Sequence, residues 1–422
     1  MKRFILVVVL SFAVFATGFA QGKNETPVTA DGENVITLRW LMQVSTAEEK
    51  QQWQELAEDV NKVYPNIKVE MNTTDWNGYW TKLPTEIAGG NPPDILYMQS
   101  QRAKDYLGEG FLPISQFIKN DKDINMDDFY KGIIDGLSMN GEYYCLPYDF
   151  GPYVLFYNID QFDKCGMSYP DTWNTWEDFI VACKKMKENG VKCTSVLPGF
   201  DRIYSFILGN GANILATDGT VRVNTPEFIA AIQALDDLIE AGYTPLQSDT
   251  GNANWDREQF YNGSSAALTD GVWNLTNVKA KSNFKYGVTM VIPGLSYRKT
   301  PIAGSGFGIS KDTKHPQEAY LALKVLTSKE SETKLAKWGR ALPARASVRD
   351  VYYKQNEDVL GLKESVESSL ASEIGITEIT PKKWQQVLVT INQNLESVFL
   401  SDTKAADALN TAQKEINRIL QQ

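Results

Sequence analysis

Between Val35 and Met98 the chain changes period four times, and that alternation limits the folds open to it. Val35 to Met42 (VITLRWLM) is apolar along most of its length, as a strand covered on both faces is. Ser45 stands three residues before Glu48, the spacing of a capping box. Behind it Trp53, Leu56, Ala57, Val60 and Val63 recur at helical spacing. Pro65-Asn66 ends that helix, and Ile67, Val69 and Met71 alternate as a second strand. A second helix, about Tyr79 to Ala88, leads through Gly89-Gly90-Asn91-Pro92-Pro93 to a strand at Asp94–Met98. Strand–helix–strand–helix–strand requires crossovers, so it predicts an α/β fold with a mainly parallel sheet flanked by helices.

The rest of the chain repeats these signals without an internal repeat. Asn140-Gly141 is a hairpin turn between apolar alternations. Tyr153 to Asn158 reads as an extended stretch. Thr175 is placed to cap a helix through Lys187, closed by Gly190. Thr225-Pro226 opens another, with Phe228, Ile232, Leu235 and Ile239 on one face and Gly242 at its end. Tyr286 to Ile292 is a strand, Pro316 opens a helix through Thr327, and helices are expected over Lys382–Leu400 and Thr403–Leu420.

The N-terminus sets the compartment. Lys2 and Arg3 precede an apolar run from Phe4 to Ala16, and Gly18 and Ala20 are small residues at the spacing of a signal-peptidase site. Residues 1–20 are expected to be cleaved after Ala20, and the polar residues 21–34 to form a disordered leader. With no Cys near the cleavage site, no lipid anchor is expected. Removing Lys2 and Arg3 takes the formal charge from −10 to −12. An acidic chain without a basic cluster argues against nucleic acid and anionic membrane surfaces. Export permits disulfides among Cys145, Cys165, Cys183 and Cys193. Cys183 and Cys193 stand close enough along the chain to pair, but the spacing does not choose among three connectivities or exclude buried free thiols. None forms a C-x-x-C pair, and His315 is the only His, which argues against a zinc site.

Asn91-Pro92-Pro93-Asp94-Ile95-Leu96-Tyr97, the run from Gly141 to Phe179, and Gly263 to Trp273 (GSSAALTDGVW) stand far apart in the chain. With Ile302 to Ser328 they resemble, in order and spacing, the extracytoplasmic solute-binding proteins of ABC sugar importers, the family that includes maltose-binding protein. The likeness spans nearly the whole mature chain. It implies a two-lobed periplasmic binding protein fold, each lobe a mainly parallel sheet flanked by helices. By resemblance the hinge crossings fall near Asp149–Val154, Pro293–Gly304 and Trp338–Ala344. The N-lobe would take 35–150 plus 303–340, and the C-lobe 151–302 plus 341–422. It further implies a monomer without cofactor or metal that closes on a sugar or oligosaccharide and hands it to membrane permease subunits.

A sugar offers flat apolar faces and a rim of hydroxyls, so indoles, carboxylates, amides and Arg suit it. Aromatic residues make up 11% of the chain, with ten Trp, more than a core of this size needs. Trp273 matches the family's stacking indole, and Gly271 would let backbone approach the solute. Asp270 is placed either to accept hydroxyl protons or to cap the following helix. Trp384 falls where the family has a second stacking ring; a core position is the alternative. Gln99, Ser100 and Gln101 follow a strand, at the end where ligands bind in open α/β sheets, and replace the family's carboxylate there. Gln43 and Ser45 end the first strand. Of Trp76 and Trp80, one is expected to line the cleft and the other to pack. Tyr148 and Asp149 sit at the first crossing and Arg340 at the third, while Trp255 opens a helix in the second lobe.

A glycoside hydrolase would need two carboxylates facing across the bond, one with a raised pKa. Asp149 and Asp270 are the candidates, but nothing in their spacing sets such a separation. G-x-S-x-G and a post-strand G-x-G-x-x-G are both missing. Binding without chemistry is the expectation, in service of an importer or of a sensory receptor.

Overall fold

The computed structural model describes residues 34–421 apart from 246, 248–251, 253 and 372. The expected signal peptide (1–20), and all but Asn34 of the expected leader (21–34), lie outside the described residues. The strands are β1 (Ile36–Gln43), β2 (Ile67–Thr74), β3 (Ile95–Gln99), β4 (Phe111–Leu112), β5 (Ser138–Met139), β6 (Glu142–Tyr143), β7 (Cys145–Asn158), β8 (Ala267–Gly271), β9 (Tyr286–Met290), β10 (Thr300–Ser310) and β11 (Gly375–Thr377).

The first three strands pair in parallel through the helices Ala47–Val63 and Trp76–Ala88, as the alternation requires. The cap of the first helix is one residue later than the sequence suggests. Thr46 accepts from the Glu49 N–H at 3.0 Å, and Glu49 reaches back to the Ser45 N–H at 2.8 Å. Asn140 and Gly141 take φ of 54° and 79° between β5 and β6, as a tight hairpin needs.

One long sheet, in the order β2-β1-β3-β10-β7-β8, ties the molecule together. Strand β7 is shared. From Cys145 to Pro152 it pairs with β10, and from Tyr153 to Asn158 it runs between β8 and β9. Its pairing with β8, β9 and β10 is antiparallel throughout, because the chain enters the second half by extending a strand rather than through a crossover. Parallel pairing is thus concentrated in β1, β2 and β3, with β11 beside β10. The register slips opposite Ser305 and Gly306, so that Tyr148 is an extra residue and re-aims its neighbour Asp149.

Two hydrophobic cores result. The first gathers Trp40, Trp53, Tyr97, Tyr148 and Phe307, with the Tyr148 and Phe307 rings stacked at 4.7 Å. The second gathers Phe162, Phe179, Phe200, Phe228, Trp384 and Ile416. Alternation along β7 divides them: Val154 and Phe156 face the first core, Leu155 and Tyr157 the second. Cys183 and Cys193 form a disulfide within the second, while Cys145 and Cys165 are buried free thiols. Among the described residues no helix is long and apolar enough to cross a membrane.

Candidate functional site

Strands β1, β2 and β3 end on one side of the sheet, each leading into a helical turn: the Thr46-capped helix, the Asp75-capped helix and the turn Ser100–Arg102. Such carboxyl ends open onto a crevice. Trp76, the first residue of its helix, is 36% exposed there. Trp80, one turn on, is half-buried against Tyr79, Tyr97 and Tyr106. The guanidinium of Arg102 lies 4.5 Å over Trp80 and 5.8 Å from Trp76. So the Trp76 indole is open and that of Trp80 packed.

Behind Arg102 the two cores meet. Gln99 is half-buried at the end of β3, and the Ser100 hydroxyl accepts the Gly304 N–H at 3.3 Å. Glu378, just after β11, is only 4% exposed. Gln101 hydrogen-bonds one side of its carboxyl, and Oε1 has no partner among the described residues. Burial, then the like charge of Asp201, pushes Glu378 up to about 8. Asp201 opens the helix Phe200–Gly209, exposed yet densely surrounded, as a group on the wall of a deep cleft is. It makes no hydrogen bond or contact ion pair among the described residues. Tyr153 of β7 feels both carboxyls, and its ring meets Trp273 edge-on at 5.1 Å. Arg102 thus touches both indoles and acts on Asp201 and Glu378, with Gln101 beside Glu378 and Trp273 against Tyr153.

A second polar group adjoins it. Arg340 donates through Nε to Glu49 at 3.0 Å, with Asp149 and Tyr148 close enough to act on its charge. Asp149 is half-buried and accepts the Ser305 N–H at 2.7 Å. Burial outweighs Arg340 and Ser305 and lifts its pKa to about 6. The segment Leu342–Ala344 lies alongside, where the Phe150 N–H donates to the Leu342 carbonyl and that of Ala344 to the Tyr148 carbonyl.

Several expected residues stand elsewhere or act differently, among them Tyr148, which is buried in the first core with its ring stacked on Phe307. Asp270 is fully buried and serves as a hub, accepting from Arg202 at 3.1 Å and from Arg257 at 2.6 and 3.1 Å. It faces no cleft because its acceptor sites are taken; Arg202 also lies 3.0 Å from Asp256. Trp384 is 2% exposed against Phe200 in the second core, since its helix turns its apolar stripe inward. Trp255 is buried at the start of its own helix. Gly271 leaves room for the Trp273 ring rather than for a solute. Gln43 closes β1 as expected but is buried. Sequence reasoning missed Asp201, Arg202, Arg257, Tyr153, Arg102 and Glu378. For Trp384 the signal was present: Trp384, Val387, Leu388, Ile391 and Leu395 recur as a core stripe. A partly open cavity of about 40 Å³ beside Trp176, Ile203 and Phe206 adjoins Arg202 and is too small for a sugar ring.

Two α/β cores joined by shared strands, with a cleft of indoles and polar groups between them, define a two-lobed solute-binding protein. The chain belongs to the bacterial extracellular solute-binding protein family, whose model matches residues 55–360. It is 25% identical over 397 residues to the sn-glycerol-3-phosphate-binding periplasmic protein of Escherichia coli strain K12, covering 86% of this chain and 88% of that one. Its fold superimposes on an ABC substrate-binding protein from Listeria monocytogenes in complex with cycloalternan, with a TM-score of 0.83 and 25% identity, over 92% of this chain and 99% of that one. A maltose-bound protein from T. maritima has the same fold, at a TM-score of 0.76 and 19% identity over 91% and 99% of the two chains.

Proposed function

We propose that this chain is an exported carbohydrate-binding component of an ABC importer, closing two lobes on a neutral sugar or oligosaccharide and delivering it to a membrane permease without chemistry on it. The relatives divide between a glycerol phosphate and saccharides, and the charge of the cleft decides between them. Carboxyl groups outnumber guanidiniums there. Arg340 is matched by Glu49, while Arg202 and Arg257 are held in the buried hub with Asp256 and Asp270 and take no part in the balance. Arg102 has Asp201 and Glu378 beside it. A phosphate would meet no surplus cation, whereas hydroxyls find acceptors at Asp201 and Asp149 and a donor at protonated Glu378. That charge balance carries the reading.

Trp273 and Trp76 supply the stacking faces, with Gln99, Ser100, Asp149 and Arg340 nearby as polar partners. The lobes take 35–150 plus 303–340 and 151–302 plus 341–422, and the mature chain begins after Ala20. Thermal shift with maltotetraose, tagatose and glycerol 3-phosphate tests the proposal, because a solute that binds only the folded form raises the melting temperature. A saccharide should raise it and glycerol 3-phosphate should not; the reverse pattern rejects the reading. Trp273→Ala should weaken saccharide binding about tenfold to a hundredfold, or about 1.4–2.8 kcal/mol. Incubation with the same saccharides should release no reducing sugar.

A further inference from the structure

The helix Trp384–Ser401 starts without a cap of its own. Lys383, at its N-cap position, has φ 57° and its side chain accepts nothing from the helix. The first amides of a helix have no partner within it and need one from outside. In several other helices of this chain the residue just before the helix serves, as Thr46, Asp75, Thr175 and Thr225 do. Here the partner lies far away in sequence. The carboxylate of Asp105 accepts the Lys383 N–H at 2.6 Å and is also hydrogen-bonded by the backbone of Trp384 and Gln385.

The two ends of this contact belong to different cores. Asp105 sits in the short helix Ala103–Tyr106, whose Ala103, with Leu107 just beyond it, packs in the first. Trp384, Val387 and Ile391 pack in the second. Flanking contacts join the same two segments: the Thr380 hydroxyl donates to the Gln101 carbonyl at 2.6 Å, and the Arg102 guanidinium donates to the Gln385 side chain. The segment bearing Gln101 and Arg102 also forms part of the proposed solute cleft.

We propose that Asp105 is a positioning residue that holds the closed, solute-bound arrangement by capping the Trp384 helix across the lobe boundary, a cap made on closure and released on opening. The inference rests on the solute-binding reading above. An acidic side chain suits the role because a helix N-terminus carries partial positive charge. The bond joins segments 278 residues apart, so it draws the two bodies together rather than stabilising either alone.

Asp105→Ala and Asp105→Asn test it, with maltotetraose, tagatose and cycloalternan as probes. Whichever of the three raises the wild-type melting temperature most is then used in stopped-flow release. Asp105→Ala should release it about fivefold to tenfold faster, the range a lost cap commands. Asp105→Asn, which keeps an acceptor oxygen, should fall between. The melting temperature should drop in the loaded protein and hold in the free one. Unchanged release overturns the proposal, as does an equal drop in free and loaded protein, which would make the cap a permanent part of one body. A wild type indifferent to all three probes removes the solute reading and this inference together, whereas a responsive wild type matched by Asp105→Ala removes the cap's role alone.

Discussion

The indole of Trp273 lies over Gly271 so closely that a Cβ on the glycine would stand 2.0 Å from Cζ2 of the ring. The glycine has ordinary extended dihedrals, so its use is steric room and not backbone freedom. The ring also meets Tyr153 edge-on at 5.1 Å, and Tyr153 pairs with Gly271 in the register of β7 and β8. Backbone and aromatic neighbour together aim the face that is proposed to stack on a sugar.

Gly271→Ala should therefore disable Trp273 without touching it. The methyl group must expel the indole or shift β8, and overpacking of this kind costs roughly 1–3 kcal/mol. Calorimetric titration should give a saccharide affinity close to that of Trp273→Ala. A variant that binds like wild type would mean that the ring's seat on Gly271 does not set its orientation.

Asp270 should matter for stability rather than for contact with solute. Removing it leaves Arg202 and Arg257 buried with one carboxylate fewer, and breaking a buried pair from one side typically costs about 3–5 kcal/mol. Urea denaturation of Asp270→Asn should show that loss. The pH dependence has a definite sign. Burial pushes the carboxyl up, but Arg202 and Arg257 overcome it and hold the pKa below the usual carboxylate range. Its contribution is present above the unfolded-state pKa and is lost as pH falls through the folded one. Acid should thus narrow the gap between wild type and Asp270→Asn.

Glu378 has the opposite sign. Burial and then Asp201 raise it to about 8, with Arg102 and Gln101 opposing. A carboxyl raised on folding contributes stability that is complete below its unfolded-state pKa and is lost as pH climbs through 8. Glu378→Gln removes the ionisation and keeps the shape. Melting temperatures from pH 5 to pH 9 should fall less steeply for Glu378→Gln than for wild type. Parallel curves would show that Glu378 does not ionise in this range.

What was legible in the sequence was what the chain encodes locally. The Thr175 helix carries a complete capping box with Asp178, Asn140-Gly141 has the dihedrals its turn demands, and Pro226 opens its helix behind Thr225. Three parallel strands followed from periodicity because each crossover helix lies beside its strands in sequence. The cleft was harder to read because it is made by distant pairs. Glu378 meets Gln101 only once the chain has crossed between cores several times. Asp270 and Trp384 were read as solute contacts by their neighbours in sequence, yet tertiary burial decides that question, and both are inside.

The disulfide offers a prediction that is independent of the cleft. Cys183 lies near the end of the helix Trp176–Glu188 and Cys193 beyond the Gly190 turn, with a sequence separation of 10 and Cα atoms 4.9 Å apart. The bridge ties that helix to the segment whose Cys193 N–H donates to Tyr243. In the chain-entropy account, a loop this short removes freedom from the unfolded state worth about 3 kcal/mol. Replacing both cysteines by Ala should lower unfolding stability by about 2–3 kcal/mol in urea and leave saccharide affinity unchanged, because the bridge lies within the second core. Reduction of the wild type should shift its melting temperature in the same direction, and the double Ala variant should not respond to reductant. If reductant destabilised that variant as well, Cys145 and Cys165 would have to be oxidised in solution and not the buried free thiols of this structure.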